Sequence, residues 1–356
     1  VTGRVDLGPP TLLDVAIGYL PDLNDRFVII NNDGTDPVAG NFAGLPEGAD
    51  FIASGIGLSI SYVGGDGNDV ELTAGDQNVV YVDDNWAGTV GGTDPDADGP
   101  ARSFGFDSHA TIQQGIDAVA DGGEILVYNH SGSGYSESLR IDNSTWTEKA
   151  ARSHRPLSKS LSLTAVADHQ PVIDGSGLWG TGLDITGDDS TVAVTGLEFA
   201  NSLTTGIDSE GILTLTRVKV DGGFNGIVID GGTGWVHQTW VTDTDVFGIG
   251  IIRGGQAAIH HSELSDNTGA GVAVIDGNAL IRQSRLTGND HGLVVTNDST
   301  ATIHNSSLAG NNTTALSNAS LTDTVNASKN WWGTTDESAI AAMTHGRIDF
   351  TPYLGA

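Results

Sequence analysis

Two sets of residues in this 356-residue chain have the types and the spacing to do chemistry. The first is the series Thr195, Thr216, His237, His260, Arg282 and His304, separated by 21, 21, 23, 22 and 22 residues. An imidazole can act as a general base near neutral pH, and a guanidinium can stabilise developing negative charge. A hydrolase or lyase could therefore be built on His237, His260, Arg282 and His304, with His261 and Arg285 nearby in sequence. Most members of the series lack an acidic partner, which favours a sugar-binding or solvated face over catalysis. The second set is Asp94, Asp96 and Asp98 in Thr93-Asp-Pro-Asp-Ala-Asp-Gly99, which follows the opening of a Ca²⁺ loop. Gly105 stands where such a loop places its bidentate Glu, so Asp83, Asp84 or water would have to complete the shell. Ca²⁺ is the only cofactor to which the sequence points.

The intervals in the first set belong to a repeat. An apolar anchor returns at Val194, Leu215, Val236, Ile259, Ile281 and Ile303, and the residue after each anchor is a member of the histidine series. Five positions beyond the anchors stand Phe199, Val220, Val241, Leu264, Leu286 and Leu308. A second strand in each unit opens at Gly206, Gly226, Gly248, Gly271 or Gly292. A period near 22 residues, with strand patterning and Gly, Asn and Asp turns, predicts stacked coils of short strands. Asn267, Asn289 and Asn311 would then lie one above another at about 4.8 Å, the spacing of a side-chain amide ladder. Alternate rungs sit roughly 10 Å apart, so His237, His260 and His304 cannot share one metal.

Outward on the glycine-initiated strand the sequence places Asp184, Asp208, Val228, Gly250, Ala273 and Val294, with Ile252 and Ile275 beside them. So apolar a row predicts a covered surface, with the N-terminal segment or another subunit lying on it. Thr111–Ala120 puts Ile112, Ile116 and Val119 on one helical face, a short helix suited to closing the open end of the coil. Asn330-Trp-Trp-Gly333 and Ile348–Leu354 supply aromatics for a plug at the other end.

Composition removes several function classes. The net charge is -30, and 36 of the 45 acidic residues are Asp. Such a surface repels nucleic acid. There is no Cys, so thiol catalysis, disulfides and thiolate metal sites are excluded. No apolar run reaches the length of a membrane span.

The stretch Ala110–Val127, ATIQQGIDAVADGGEILV, resembles the opening of pectin-lyase-like β-helix proteins, and NASKNWWGT with RIDFTPYL resembles the close of many secreted bacterial ones. Residues 27–73 are similar to a module in very large surface proteins of Planctomycetes-like and other marine bacteria. The repeat is the signature of a right-handed parallel β-helix, and with the resemblance it implies an all-β chain: a β-rich module over 1–78, an acidic linker over 79–108, and the β-helix over 109–356. It implies an extracellular or cell-surface place, with polysaccharide or other surface proteins as partners, in a homo-oligomer or a larger chain. The family's enzymes carry motifs that are missing here. Asp290-His-Gly292 keeps only the His-Gly of polygalacturonases, and Phe106-Asp-Ser-His109 departs from the Asp-Pro-His of mannuronan epimerases. The expected role is structural or adhesive, including glycan binding. The alternative is a lyase, epimerase or hydrolase acting on acidic glycans.

Overall fold

The computed structural model describes residues 4–8, 11–16, 25–53, 56–75, 77–91, 93–97, 99–129, 134–141, 159–296, 299–320 and 322–355. From Gln77 onward the chain winds into a solenoid of about 11 turns of ~23 residues. Each regular coil lays down three strands, and every strand pairs in parallel with its counterpart one coil away.

The three faces follow from the repeat. One carries the glycine-initiated strands, such as Thr205–Ser209 and Asn225–Asp230. The second carries the anchor strands, such as Ile212–Thr216 and Thr233–His237, and is called the histidine face below. The third carries three-residue strands such as Lys219–Asp221 and Trp240–Thr242. Val194, Leu215, Val236, Ile259, Ile281 and Ile303 are Cα partners in successive coils and are buried. Phe199, Val220, Val241, Leu264 and Leu286 stack in the same way on the third face. Each fully buried aliphatic side chain contributes about 1.5–3 kcal/mol, so the stack is the main source of stability.

Two polar ladders hold the corners. At the corner leading to the glycine face, the Asn267 side-chain amide donates to Asn289 Oδ1 (2.8 Å) and that of Asn289 to Asn311 Oδ1 (3.2 Å). Thr244 heads the ladder, its Oγ1 donating to Asn267 Oδ1 at 2.7 Å. A second ladder, between the histidine and third faces, runs through Thr239, Ser262, Ser284, Ser306 and Asn330. Each backbone N–H donates to the side-chain oxygen one coil on, at 2.9–3.2 Å. These bonds satisfy backbone groups that the turns leave without strand partners.

Helix α1 (Ile112–Ala118) closes the N-terminal end, with Ile112 and Ile116 buried. Its first amides are bonded by the Glu137 carboxylate, and Lys159 donates to the Ile116 carbonyl near its end. Lys159 is the described residue of the basic insertion; Lys149, Arg152, His154 and Arg155 lie outside the described residues. At the far end Trp332 is buried edge-on to Phe350, and α2 (Glu337–Ala342) buries Ile340.

The N-terminal residues form a separate antiparallel sheet of four strands with a core of its own, built on Leu58, Ile60, Val70 and Leu72. The segment 79–108, expected as an acidic linker, differs from that expectation. Gln77–Val82 pairs with Val119–Val127, and Val80 and Val82 enter the solenoid core. The first coil therefore starts before the capping helix, because its alternating valines fit the inward stack.

Candidate functional site

The histidine series is brought into one column. Thr195, Thr216, His237, His260, Arg282 and His304 are Cα partners on successive strands, all facing outward. His237 and Arg282 are exposed, and His260 and His304 are half-buried. The His304 Nδ1 donates to the Ser328 carbonyl at 2.8 Å. Burial lowers the His260 pKa below the ordinary imidazole value, helped by Arg282, His261 and His237 around it. The rings of His237 and His261 meet edge to face, with centroids 5.2 Å apart.

The turn that follows adds a second column. Arg217, Gln238, His261, Gln283, Asn305 and Lys329 all have φ between 49° and 60°. Gly196 holds the matching place in the preceding coil, with φ 75°. A side chain in the left-handed region costs roughly 1–2 kcal/mol that glycine avoids. Six successive coils accept that strain and place polar side chains, three of them Arg, His or Lys, along the corner.

No outward residue of the strands Ile212–Thr216, Thr233–His237, Gln256–His260, Asn278–Arg282 and Thr300–His304 is acidic. None of the ion pairs among the described residues involves Arg217, Arg282 or Lys329. In a chain of net charge -30, this edge is a basic strip. Two exposed indoles flank it in one coil, Trp235 on the histidine face and Trp240 on the third. Beside Trp240 a depression of about 700 Å³ is lined by Arg217, Asn129, Asp168, His169 and Gln170.

The glycine face is less empty than its sequence implies. Val228 and Ala273 are buried, as expected of a covered row, but the cover includes the protein's own Phe247, whose ring lies over Gly250. Ile275 stays 41% exposed, so the described N-terminal residues do not blanket this face. Below Val228 the outward column reads Arg140, Asp184, Asp208. Arg140 Nε stands 4.0 Å from Asp184 Oδ2. Burial, then Asp184 and Glu210, raise the Asp208 pKa above the usual carboxylate range. Farther along, Arg253 binds the buried Asp230.

Of the expected Ca²⁺ ligands, Asp98 lies outside the described residues. Asp94 Oδ1 accepts from the amides of Asp96 (3.1 Å) and Ala97 (2.8 Å), and Asp96 Oδ2 from that of Ala101 (3.2 Å). Asp96 Oδ1 is buried with no hydrogen-bond partner, so one acceptor is left to fit a cation. Burial, together with Asp94, raises the Asp96 pKa. Among the described residues no three His, Asp or Glu side chains gather around one point.

Residues 205–351 match the family described as right handed beta helix region. The solenoid is a right-handed parallel β-helix. The crystal structure of pectate lyase Pel9A is similar at 13% identity, covering 78% of this chain and 78% of that chain, with a TM-score of 0.41. No curated protein matches the chain. Among the described residues no helix is long and apolar enough to cross a membrane.

Proposed function

We propose that the β-helix is an extracellular structural or adhesive module that binds acidic polysaccharide along its basic strip. The observation that carries this reading is the acid-free column His237–His260–Arg282–His304 beside the strained corner residues Arg217, His261 and Lys329. Polar and basic side chains repeat at about 4.8 Å per coil, with the permanent cations Arg217, Arg282 and Lys329 three and then two coils apart, so an extended polyanion can gain several contacts along the face. Ca²⁺ at Asp94 and Asp96 would hold the loop before the capping helix and take no part in this surface.

The test is binding of alginate and dextran sulfate by the full chain, with dextran as the neutral control. The triple variant Arg217→Ala/Arg282→Ala/Lys329→Ala should lose most of the affinity and most of its salt dependence. Equal binding by parent and triple variant would remove the strip from the function.

A polysaccharide lyase, epimerase or glycoside hydrolase is the second reading, and the Arg140–Asp184–Asp208 column favours it. A carboxyl whose pKa burial raises, Asp208, on the rung beside a second carboxylate, Asp184, is raw material for acid–base catalysis. Unsaturated products or new reducing ends from alginate or pectin, abolished in Asp208→Asn, would establish this reading.

A further inference from the structure

The strip continues into a trough one rung wide. On the histidine face, the strand Gln256–His260 lies between Thr233–His237 and Asn278–Arg282. Its outward residues are Gln256, Ala258 and His260. At the middle position the three successive rungs read Trp235, Ala258 and Leu280. A methyl group between an indole and an isobutyl group makes a floor between two walls. The hollow has a volume of about 250 Å³ and is lined by Trp235, Ala258 and Leu280, with the amides of Gln256 and Asn278 at one end. Trp235 is 54% exposed, so its indole is available as a wall. The other end of the same strand is His260, two residues or about 6.7 Å from the floor. His237 and Arg282 stand on the rungs either side of it.

We infer that this trough is a subsite for one anionic sugar residue of the bound polysaccharide. Its ring packs over Ala258 against the Trp235 indole, its hydroxyls meet Gln256 and Asn278, and its sulfate or carboxylate reaches His260 and Arg282. The inference rests on the polysaccharide-binding reading and adds the orientation of the sugar and the demand for a charged substituent. Each element matches one part of such a residue. An indole face offers a large apolar surface with little entropy to lose. Gln256 presents a donor and an acceptor, and Asn278 presents its NH2 while its Oδ1 accepts from Thr300. Among the described residues, the outward side chains of these three strands include no carboxylate to compete with the ligand.

The arrangement also links binding to pH. The charged groups facing His260 are His237 on one rung, Arg282 on the next and His261 in the adjoining turn, all basic. They favour neutral His260 in the free protein. An anion in their midst favours the protonated ring, so binding takes up a proton and tightens as pH falls through the imidazole range.

The experiment is calorimetric titration of the full chain with dextran sulfate, alginate and neutral dextran at pH 5.5 and 7.5. Trp235→Ala and Ala258→Phe remove the wall and fill the floor at outward positions, and their melting curves should match the parent. Both should weaken dextran sulfate or alginate at least tenfold, whereas Thr302→Ala, on the same face beyond the trough, should leave affinity unchanged. The dextran sulfate and alginate arms decide between sulfate and carboxylate as the charged substituent. His260→Gln should abolish most of the gain seen at pH 5.5. If both trough variants bind as the parent does while the triple variant at the strip loses binding, the subsite is refuted and the strip survives. If the parent binds neither polyanion, both readings fall. Neutral dextran binding as tightly as dextran sulfate would overturn the charged-substituent assignment.

Discussion

Asn289→Ala is the sharpest test of how the coils are held in register. Asn289 is fully buried. Its Oδ1 accepts from the Asn267 side-chain amide at 2.8 Å and from the Asn267 backbone N–H at 3.1 Å. Its Nδ2 donates to the Leu264 carbonyl at 2.9 Å and to Asn311 Oδ1 at 3.2 Å. Truncation to a methyl removes all four bonds without opening the site to water. Asn267 Nδ2 keeps a long bond to the Val241 carbonyl, and Asn311 Oδ1 keeps the Asn289 backbone N–H, so those two groups are only weakened. The Asn267 backbone N–H loses its side-chain acceptor outright. A buried donor left unsatisfied costs about 1–3 kcal/mol, and the weakened groups add to it, so the expected loss is about 2–4 kcal/mol.

Urea unfolding measures this loss through the midpoint, with the exposed Gln256→Ala as a control expected within about 0.5 kcal/mol of the parent. Repeat proteins lose stability locally, so hydrogen exchange at the Asn267 amide should quicken by more than at distant coils. Asn311→Ala should cost less, because Asn311 is only half-buried. An Asn289→Ala midpoint equal to that of Gln256→Ala would refute the argument, since the ladder would then be ornamental.

Three further outcomes follow from the same packing and electrostatics. Ile281→Asp places an unpaired charge in the central stack and should cost several kcal/mol, read as a collapsed melting transition; an unchanged melt would break the inward assignment. Chelation by EDTA should lower the melting temperature if Ca²⁺ sits at Asp94 and Asp96 with Asp98, and identical melts with and without chelator dispose of that site. His109 is buried, and burial holds its pKa below the ordinary imidazole value of about 6.5. The unfolded chain binds the proton that the folded chain resists, so this contribution is present above pH 6.5 and lost as pH falls toward the depressed folded value. His109→Gln should flatten the fall in melting temperature from pH 7 to 5, and a slope equal to the parent's would rule the residue out.

The coil was legible because the inward residues are few in type and return at a near-constant period. Ile281 sits on Ile259 and Leu286 on Leu264 where the spacing requires, and the Asn ladder followed from the same count. The serine ladder obeys that period too, three residues after each anchor. Its signal was available but weak, because serine is common in any turn. Gln77–Val82 was harder to see, since six residues of alternation lie before the first clear repeat. The trough had no sequence signature. It is made by Ala258 being small between Trp235 and Leu280, residues 23 before and 22 after it, and neither side chain means much until the register puts them on neighbouring rungs. The Arg140–Asp184–Asp208 column is hidden in the sequence for a similar reason. Its two carboxylates were visible, but Arg140 joins them only across the insertion, through pairing of Leu139–Ile141 with Leu183–Ile185.

An acidic body with one basic edge reconciles a charge of -30 with an anionic ligand. At physiological ionic strength a charge is felt over about 8 Å, less than two rungs of roughly 4.8 Å. A polymer lying on the strip therefore senses the nearest side chains and little of the distant carboxylates. The closest acids on the third face are already engaged: Glu198 and Asp221 by Lys219, at 2.8 and 2.9 Å, and Glu263 by Arg285 at 3.8 Å. Lys219 offsets one of the two carboxylate charges beside it and Arg285 offsets that of Glu263, which weakens the negative field at the corner. Elsewhere the surplus of Asp turns polyanions away, so the net charge narrows where such a ligand can lie and leaves the attraction to His237, His260, Arg282 and their neighbours.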